Sequence, residues 1–155
     1  MRLVNDITVN VDDTIQGTSA GTGGNGIMAK HAEDMMVDKK DQLEKIESVC
    51  LPDEIIRSVF DLKGAGTGFL GITDKRVIYY DKAFLKSKKA LVSIPHNRIA
   101  SVASEDNKGF LIRSGFFVSD TLTINPIGLE AKTFEFRGGD KAHQAHNIIM
   151  EYLLK

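Results

Sequence analysis

Several residue types that carry chemistry or crosslinks are scarce in this chain of 155 residues. It has one cysteine, Cys50, and no tryptophan. An internal disulfide cannot form, and zinc sites built on several cysteines are excluded. Because nothing in the sequence depends on oxidation, a reducing compartment is favoured and we expect a cytoplasmic protein. Only four histidines are present, which leaves few candidates for acid–base chemistry or metal binding.

Long apolar runs and a strong charge of one sign are also absent. No window of 18 apolar residues exists, so no membrane-spanning helix is expected. The first residues lack a continuous apolar core, so no secretory signal is expected either. The 20 basic and 21 acidic residues nearly balance, whereas a general nucleic-acid binder carries a strongly basic face. We therefore expect no nucleic-acid partner.

The first 26 residues differ in composition from the rest of the chain. Five glycines fall within residues 17–26 (GTSAGTGGNG), where ordering would cost much backbone entropy and bury little apolar surface. Residues 1–26 are therefore predicted to be a flexible tail. Within that tail, most apolar residues of segment 3–11 (LVNDITVNV) fall at odd-numbered positions, as in a strand with one apolar face: Leu3, Ile7, Val9 and Val11. Such a single strand needs an edge to pair with, in this domain or in a neighbouring copy.

Residues 27–50 are predicted to be an amphipathic helix. Residues 27–49 contain no glycine or proline, are densely charged and carry a thin apolar stripe. Pro52 would end the helix. Such a helix lies either on its own domain or on a partner chain. In the second case the candidate oligomerisation residues are Met28, Met35, Met36, Leu43 and Ile46.

From residue 51 onward the pattern changes to short alternating runs separated by turn signals. Eight such runs, with a longer loop at 82–89, predict about seven strands; the runs are residues 55–62, 70–72, 76–81, 91–94, 99–104, 110–118, 121–125 and 133–136. Asp140 is predicted to cap a helix over 141–154, whose apolar stripe contains Ala142, Ala145, Ile149, Tyr152 and Leu153. The fold class is mainly β (α+β): a seven-stranded antiparallel barrel or sandwich capped by a C-terminal helix, with an N-terminal helical extension.

Two segments carry a resemblance to a known family. Gly68–Asp81 (GFLGITDKRVIYYD) and Ile94–Ser104 (IPHNRIASVAS) resemble bacterial pleckstrin-homology-like domains and the related GRAM domains, over residues 51–155. The resemblance implies a PH-like fold that binds rather than catalyses, and it implies self-assembly, since some bacterial members form rings through sheet edges. The resemblance also implies that inositol-lipid binding would need a basic motif in the first hairpin. Here that hairpin offers Lys63 alone.

No residue constellation for catalysis stands out. Gly66–Gly71 matches G-x-G-x-x-G, but a β-branched strand follows it where a dinucleotide site needs a helix N-terminus. These glycines are interpreted as allowing tight turns and a close strand crossing. No nucleophile motif surrounds Cys50, which is interpreted as a small hydrophobic residue. The chain is therefore predicted not to be an enzyme and to need no cofactor.

The histidines do not predict a metal site. His143 and His146 are three residues apart, but no third ligand has a fixed relation to them. His146 falls on the apolar stripe of the last helix, so it is interpreted as a packed residue. His96 is expected to be solvent-exposed in a loop, and the charge of Arg76 is expected to remain in water.

Residues 82–89 (KAFLKSKK) are the most informative candidate for binding. Four lysines surround two apolar residues, and Arg98 follows. The segment is a solvated loop whose apolar residues pack on the sheet, a docking loop for an acidic partner, or a docking loop for an anionic membrane. The candidate docking residues are Lys82, Phe84, Leu85, Lys86, Lys88, Lys89 and Arg98.

The sequence as a whole predicts a non-catalytic binding or assembly module. We expect it to associate with itself or to dock a protein partner through the PH-like domain. The alternative is peripheral binding to an anionic membrane through the lysine-rich segment 82–89.

Overall fold

A computed structural model of the chain describes residues 29–63, 68–85, 88–106 and 120–155, except for the side chains of residues 81–89 and 106. The described elements are, in chain order, β1 (Lys30–Val37), α1 (Lys40–Glu47), β2 (Ile55–Asp61), β3 (Phe69–Thr73), β4 (Arg76–Leu85), β5 (Lys88–Pro95), a 3-10 turn (His96–Arg98), β6 (Ile99–Asp106), β7 (Asp120–Pro126), β8 (Lys132–Glu135) and α2 (Lys141–Leu153).

The strands form two sheets that face each other. One has the order β1-β2-β3-β4-β5 and the other the order β6-β7-β8. The pairs from β2 to β5 and from β6 to β8 are antiparallel, whereas β1 runs parallel to β2. An isolated bridge between Leu62 and Phe136 links the two sheets at one corner. The predicted mainly β sandwich with a C-terminal helix is confirmed, and the described strands do not close into a barrel.

The main core lies between the sheets. Along β7 every second residue is buried, as expected for a strand with one face on a core. The rings of Phe60 and Phe136 meet edge to face at 5.6 Å. Ala142 and Ala145 are fully buried in the same cluster; their small side chains let α2 approach closely. The helix and stripe predicted for residues 141–154 are thus confirmed, within one residue at the end.

The single helix predicted over residues 27–49 is wrong. Along the chain, strand β1 comes before helix α1, and α1 has only eight residues. The amide of Lys30 donates to the carbonyl of Glu54, and that of Asp38 to the carbonyl of Val59, both at 3.0 Å. These bonds depend on β2, which lies far along the chain, so the tertiary context outweighs the local helical pattern.

The short helix α1 covers the outer face of the five-stranded sheet. Ile46 is fully buried in a second core cluster formed by Ile56, Val59, Phe69 and Ile78. A Cβ on Gly71 would lie 2.6 Å from Cδ1 of Ile46, so the missing side chain leaves room for the helix. Helix α1, which precedes the domain boundary predicted at residue 51, therefore packs on the same domain as the strands that follow it.

The predicted oligomerisation residues pack against their own chain. Met35 and Leu43 are half-buried against the second cluster, and Met36 against the main core. Ile46 has no exposed surface, so it is not available to a partner copy. Met28 lies outside the described residues. Of the two alternatives for this segment, the structure shows packing on its own domain.

The longer loop predicted at residues 82–89 is also wrong. Strand β4 continues to Leu85 and β5 begins at Lys88, and these two residues pair at the end of a hairpin. Once β4 and β5 pair at Arg76 and Pro95, main-chain bonding extends the ladder whatever the side chains are. The register shifts between Asp81 and Leu85. The strand predicted at 110–118 and the tail at 1–26 lie outside the described residues.

The start of α2 differs from its prediction as well. Asp140 adopts a left-handed φ of 65° and makes no capping hydrogen bond with its side chain. The first turn is held instead by Lys141, whose Nζ lies 2.7 Å from Oδ1 of Asp38. This ion pair ties the helix to the segment that joins β1 and α1.

Candidate functional site: an apolar groove beside β5

An open groove lies between the two sheets where β5 forms the sheet edge. One part, of about 390 Å³, lies between Tyr79, Val92 and Ile94 of the first sheet and Pro126 and Leu129 of the second. A second part, of about 360 Å³, shares three of these residues and extends along the turn after β7. We call the two together the β5 groove. Its lining residues are Tyr79, Val92, Ser93, Ile94, Pro95, Arg98, Pro126, Ile127, Gly128, Leu129, Glu130 and Lys132.

The turn between β7 and β8 supplies one wall of the β5 groove. Gly128 has a φ of +78°, a conformation that other residues rarely adopt. The amide of Ile127 donates to the carbonyl of Arg98 at 2.8 Å, which fixes the turn against the 3-10 turn that follows β5. Held in this way, Ile127 and Leu129 are 53% and 70% exposed. With the half-buried Val92 on the groove face of β5, they give this side of the domain an exposed apolar surface of the kind that marks interaction sites.

The sequence prediction identified only one lining residue of this groove. Arg98 is exposed and lies at its end. Lys88 and Lys89 begin β5, whereas Arg98 follows its last residue. Eight extended residues separate the two ends by about 25 Å. The structure therefore separates the backbone of Arg98 from that of Lys88 and Lys89. The side chains of Lys82, Phe84, Leu85, Lys88 and Lys89, and all of Lys86, lie outside the described residues.

A buried ion pair that sequence reasoning missed lies on the other side of the sheet. Glu54 is fully buried, and its Oε1 accepts hydrogen bonds from Nε of Arg76 at 2.9 Å and from the hydroxyl of Thr73 at 2.7 Å. Its Oε2 accepts from Nη2 of Arg76 and from the amide of Leu51. The side chain of Arg76 is only 18% exposed, so the expectation that its charge remains in water is wrong. No sequence spacing links residue 54 to residue 76.

The electrostatics of this pair favour a structural role. Burial alone would raise the pKa of Glu54, but hydrogen bonds from Arg76, Leu51 and Thr73 hold that pKa below its ordinary value. The hydrogen bond to Glu54 in turn raises the pKa of Arg76. Burial, followed by the charge of Glu54, raises the pKa of the neighbouring Cys50 thiol to about 11. Cys50 is therefore a protonated thiol at neutral pH and not an activated nucleophile.

His96 is buried, contrary to the sequence expectation. Its Nε2–H donates to the carbonyl of Thr73 at 2.8 Å, and its ring stacks on Tyr152 at 4.7 Å. The 3-10 turn places it beneath the last turn of α2 because Pro95 ends β5 just before it. Burial lowers its pKa, so the ring is neutral at neutral pH. Its contacts fix α2 to the end of β5.

The remaining histidines form no metal site within the described part of the chain. His143 and His146 stack on each other with ring centres 6.0 Å apart. His146 is half-buried, as a packed residue would be, and its Nδ1 lies 3.2 Å from Oδ1 of Asn147. No three His, Cys, Asp or Glu side chains among the described residues are placed to hold a metal ion. Likewise, no described helix is long and apolar enough to cross a membrane.

Two solved structures share this architecture. A pleckstrin homology domain from Shewanella amazonensis SB2B has 19% sequence identity and a TM-score of 0.55, over 76% of this chain and all of that one. A DUF1696 family protein with a pleckstrin-homology domain, from Shewanella loihica PV-4, has 16% identity and a TM-score of 0.52, over 83% of this chain and 99% of that one. At these identities the likeness concerns the fold. No curated protein matches the sequence.

Two sheets closed by a C-terminal helix define a PH-like domain, the fold that these two solved structures share. The sequence profile of the bacterial PH domain family matches residues 51–151, which is more than half of the chain. The chain therefore belongs to the bacterial PH domain family. Strand β1 and helix α1 precede the matched residues and complete the sheet and its outer face.

Proposed function

We propose that this protein is a non-catalytic, self-associating binding module that docks a second copy along β5 and its groove. The observation that carries the proposal is the exposed apolar surface of Ile127 and Leu129 along the groove beside β5, which pairs only with β4 among the described residues. An open strand edge offers main-chain hydrogen bonds, and the groove beside it can take apolar side chains.

The opposite edge of the same sheet is less suited to docking. Strand β1 carries two ion pairs, Lys30 with Asp53 at 3.0 Å and Asp34 with Arg57 at 3.5 Å, and a hydrogen bond between His31 and Glu47 at 2.6 Å. Charged edge strands resist pairing with other chains. The outer face of the sheet is covered by α1. These features leave β5 as the apolar edge of this sheet.

Charges around the β5 groove suit a second copy as the occupant. Glu130 supplies an acidic group, and Lys132 and Arg98 supply basic groups. In a two-fold interface each surface meets its own copy, so a rim that carries both signs is complementary to itself. A strongly acidic or basic partner would meet like charges on this rim.

The groove is tested with one matched pair of substitutions in the full chain. Leu129→Glu is expected to weaken self-association at least tenfold, because it adds an unpaired charge to the docking surface; the fold is retained because Leu129 is 70% exposed. Sedimentation velocity over a range of concentrations measures the association. Leu154→Glu, at an exposed leucine at the end of α2, is expected to associate as the wild type does.

A wild-type chain that is monomeric at every concentration would overturn the proposal, as would equal association of the two variants. Deletion of residues 1–50 is not an informative test, because it removes the fully buried Ile46 and exposes the second core cluster.

The β4–β5 hairpin supports a second candidate function, docking on an anionic membrane. Strand β4 extends to Leu85 and pairs there with Lys88 of β5. The lysine-rich segment 82–89 is therefore at the end of a hairpin. Phe84 and Leu85 fall at that end with four lysines. Basic residues near an anionic bilayer each contribute about 1 kcal/mol of binding.

Vesicle sedimentation tests this second candidate. The triple substitution of Lys86, Lys88 and Lys89 by Gln is expected to weaken binding to phosphatidylserine vesicles about a hundredfold, because three such contributions are lost. The wild-type binding should also fall with added salt. The control replaces three exposed lysines elsewhere by Gln: Lys40, Lys45 and Lys75. Absence of wild-type sedimentation at low salt would remove this candidate.

A further inference from the structure

The buried residue His96 connects the 3-10 turn after β5 with the last turn of α2, residues 150–153. We propose that these two turns form an acid-sensitive latch, in which protonation of His96 releases the last turn of α2 from the sheet. The latch would operate within a single chain, so it does not depend on the proposed self-association.

The hydrogen bond of His96 fixes which ring nitrogen carries the proton. A carbonyl oxygen only accepts, so Nε2, which lies 2.8 Å from the carbonyl oxygen of Thr73, is the donor. The neutral ring therefore has an unprotonated Nδ1. This atom is buried and has no hydrogen-bond partner among the described residues, in a residue that is only 6% exposed. A second proton on the ring would therefore be a buried donor without an acceptor, which is unfavourable.

The ring of His96 also holds the end of α2. It stacks on the ring of Tyr152 with centres 4.7 Å apart and planes 12° apart. Tyr152 and Leu153 are only half-buried. The buried residues that anchor the helix come earlier along it: Ala142, Ala145, Ile148 and Ile149. The last turn is therefore the part of α2 that opens at the lowest cost, because it buries the least apolar surface.

The charges that face His96 come from the β3–β4 turn and from the end of α2. Burial is the main cause that lowers the pKa of His96, and the hydrogen bond to Thr73 and the charge of Asp74 oppose it only in part. Lys155 lowers this pKa further, and its Nζ lies 4.5 Å from the centre of the Tyr152 ring. The environment as a whole therefore favours the neutral ring.

The remaining charged groups near the latch are paired or exposed. Arg57 of β2 lies 5.9 Å from the Tyr152 ring and pairs with Glu151 at 3.3 Å and with Asp34 at 3.5 Å. Lys75 and Arg98, on either side of His96, are exposed. None of the carboxylates accepts a hydrogen bond from Nδ1 of His96, so a proton added there stays without a direct partner.

The direction of the pH effect follows from these contacts. The pKa of His96 is lower in the latched state than the ordinary value of about 6.5. In the released state the ring is hydrated and takes up a proton below about pH 6.5, whereas the latched state does not. The ratio of released to latched protein therefore rises by up to about tenfold per pH unit, until the pH reaches the pKa of the latched state.

Release would change the surface at this end of the domain. Tyr152 and Leu153 would become exposed beside Leu154, which is 78% exposed already. The carbonyl of Thr73 would also lose its hydrogen bond from His96. Mild acid would thus expose a short apolar segment while the earlier turns of α2 stay in the core. Histidine protonation drives other conformational switches in the same pH range.

Amide hydrogen exchange followed by NMR on the full chain tests the latch. Protection factors of residues 152–154, divided by those of the buried strand β3, are expected to fall about three- to tenfold between about pH 7.5 and about pH 5.5. His96→Gln keeps a donor for Thr73 but does not titrate, so its ratio should stay constant. The matched control is His143→Gln, at an exposed histidine of the same helix, which should respond as the wild type does.

A wild-type ratio that does not change with pH would overturn the latch, as would an equal fall in His96→Gln. If His96→Gln leaves residues 152–154 unprotected at both pH values, the titration of the wild-type His96 ring, measured in the same NMR samples, decides. A midpoint below about 6.5 that accompanies the loss of protection supports the latch, whereas an ordinary midpoint of about 6.5 overturns it.

Discussion

Replacing Glu54 by Ala is expected to lower the free energy of unfolding by about 3–5 kcal/mol, because it leaves the buried guanidinium of Arg76 without its partner. Arg76 donates twice to Glu54, at 2.9 and 3.0 Å. It also donates to the carbonyl of Val49 at 2.8 Å. The pair therefore connects the loop after α1, the start of β2 and the start of β4, and its loss affects the packing of all three.

Urea unfolding followed by far-ultraviolet circular dichroism measures this effect. The control is Glu44→Ala, which breaks the exposed pair with Lys40 and should cost less than about 1 kcal/mol. A double variant, Glu54→Gln/Arg76→Met, should recover part of the loss because no buried charge remains unpaired. A loss below about 1 kcal/mol for Glu54→Ala would contradict the role assigned to this pair.

The pH dependence of stability follows from the direction of the same pKa. Since the pKa of Glu54 is lower in the folded protein than in the unfolded chain, its contribution is complete above its unfolded pKa of about 4.3. It is lost as the pH falls through the folded value. The wild type should therefore lose more stability between pH 5 and more acid conditions than Glu54→Gln does.

Replacing Phe136 by Ala is expected to lower the free energy of unfolding by about 3–5 kcal/mol. The side chain is fully buried and its ring meets that of Phe60 at 5.6 Å. Phe136 also pairs with Leu62 at the corner where the two sheets are linked. The substitution creates a cavity at this link and removes an aromatic pair.

The same unfolding measurement applies, and Phe136→Leu provides the graded control. Leucine keeps most of the buried volume, so its cost should be clearly smaller than that of alanine. Leu154→Ala, at a residue 78% exposed, should change the stability by less than about 0.5 kcal/mol. Equal costs for Phe136→Ala and Leu154→Ala would contradict the view that this corner holds the sheets together.

The features that local patterns could predict are those that depend on neighbouring residues. Thr73 and Asp74 are residue types that favour turns, and the hydroxyl of Thr73 accepts hydrogen bonds from the amides of Lys75 and Arg76. Pro95 ends β5 as its missing amide requires. The alternation of β7 and the stripe of α2 likewise follow from the spacing of apolar residues.

The features that local patterns could not predict depend on contacts between distant segments. Residues 30–37 form a strand because β2 supplies hydrogen bonds to them. His96 is buried because the last turn of α2 lies on it. The apolar groove could have been suspected from one signal, the two apolar residues that flank Gly128 in a turn. Its second wall, on β5, lies more than thirty positions earlier in the chain.

The amino-acid sequence alone determined the class of fold, its strand-rich body with a closing helix, and the family, because periodicity and turn chemistry act over a few residues. Tertiary structure alone decided which charges are buried and, among the described residues, which strands form the sheet edges and where apolar surface remains exposed. Those properties arise from the proximity of segments that are far apart along the chain, and no local pattern of residues encodes that proximity.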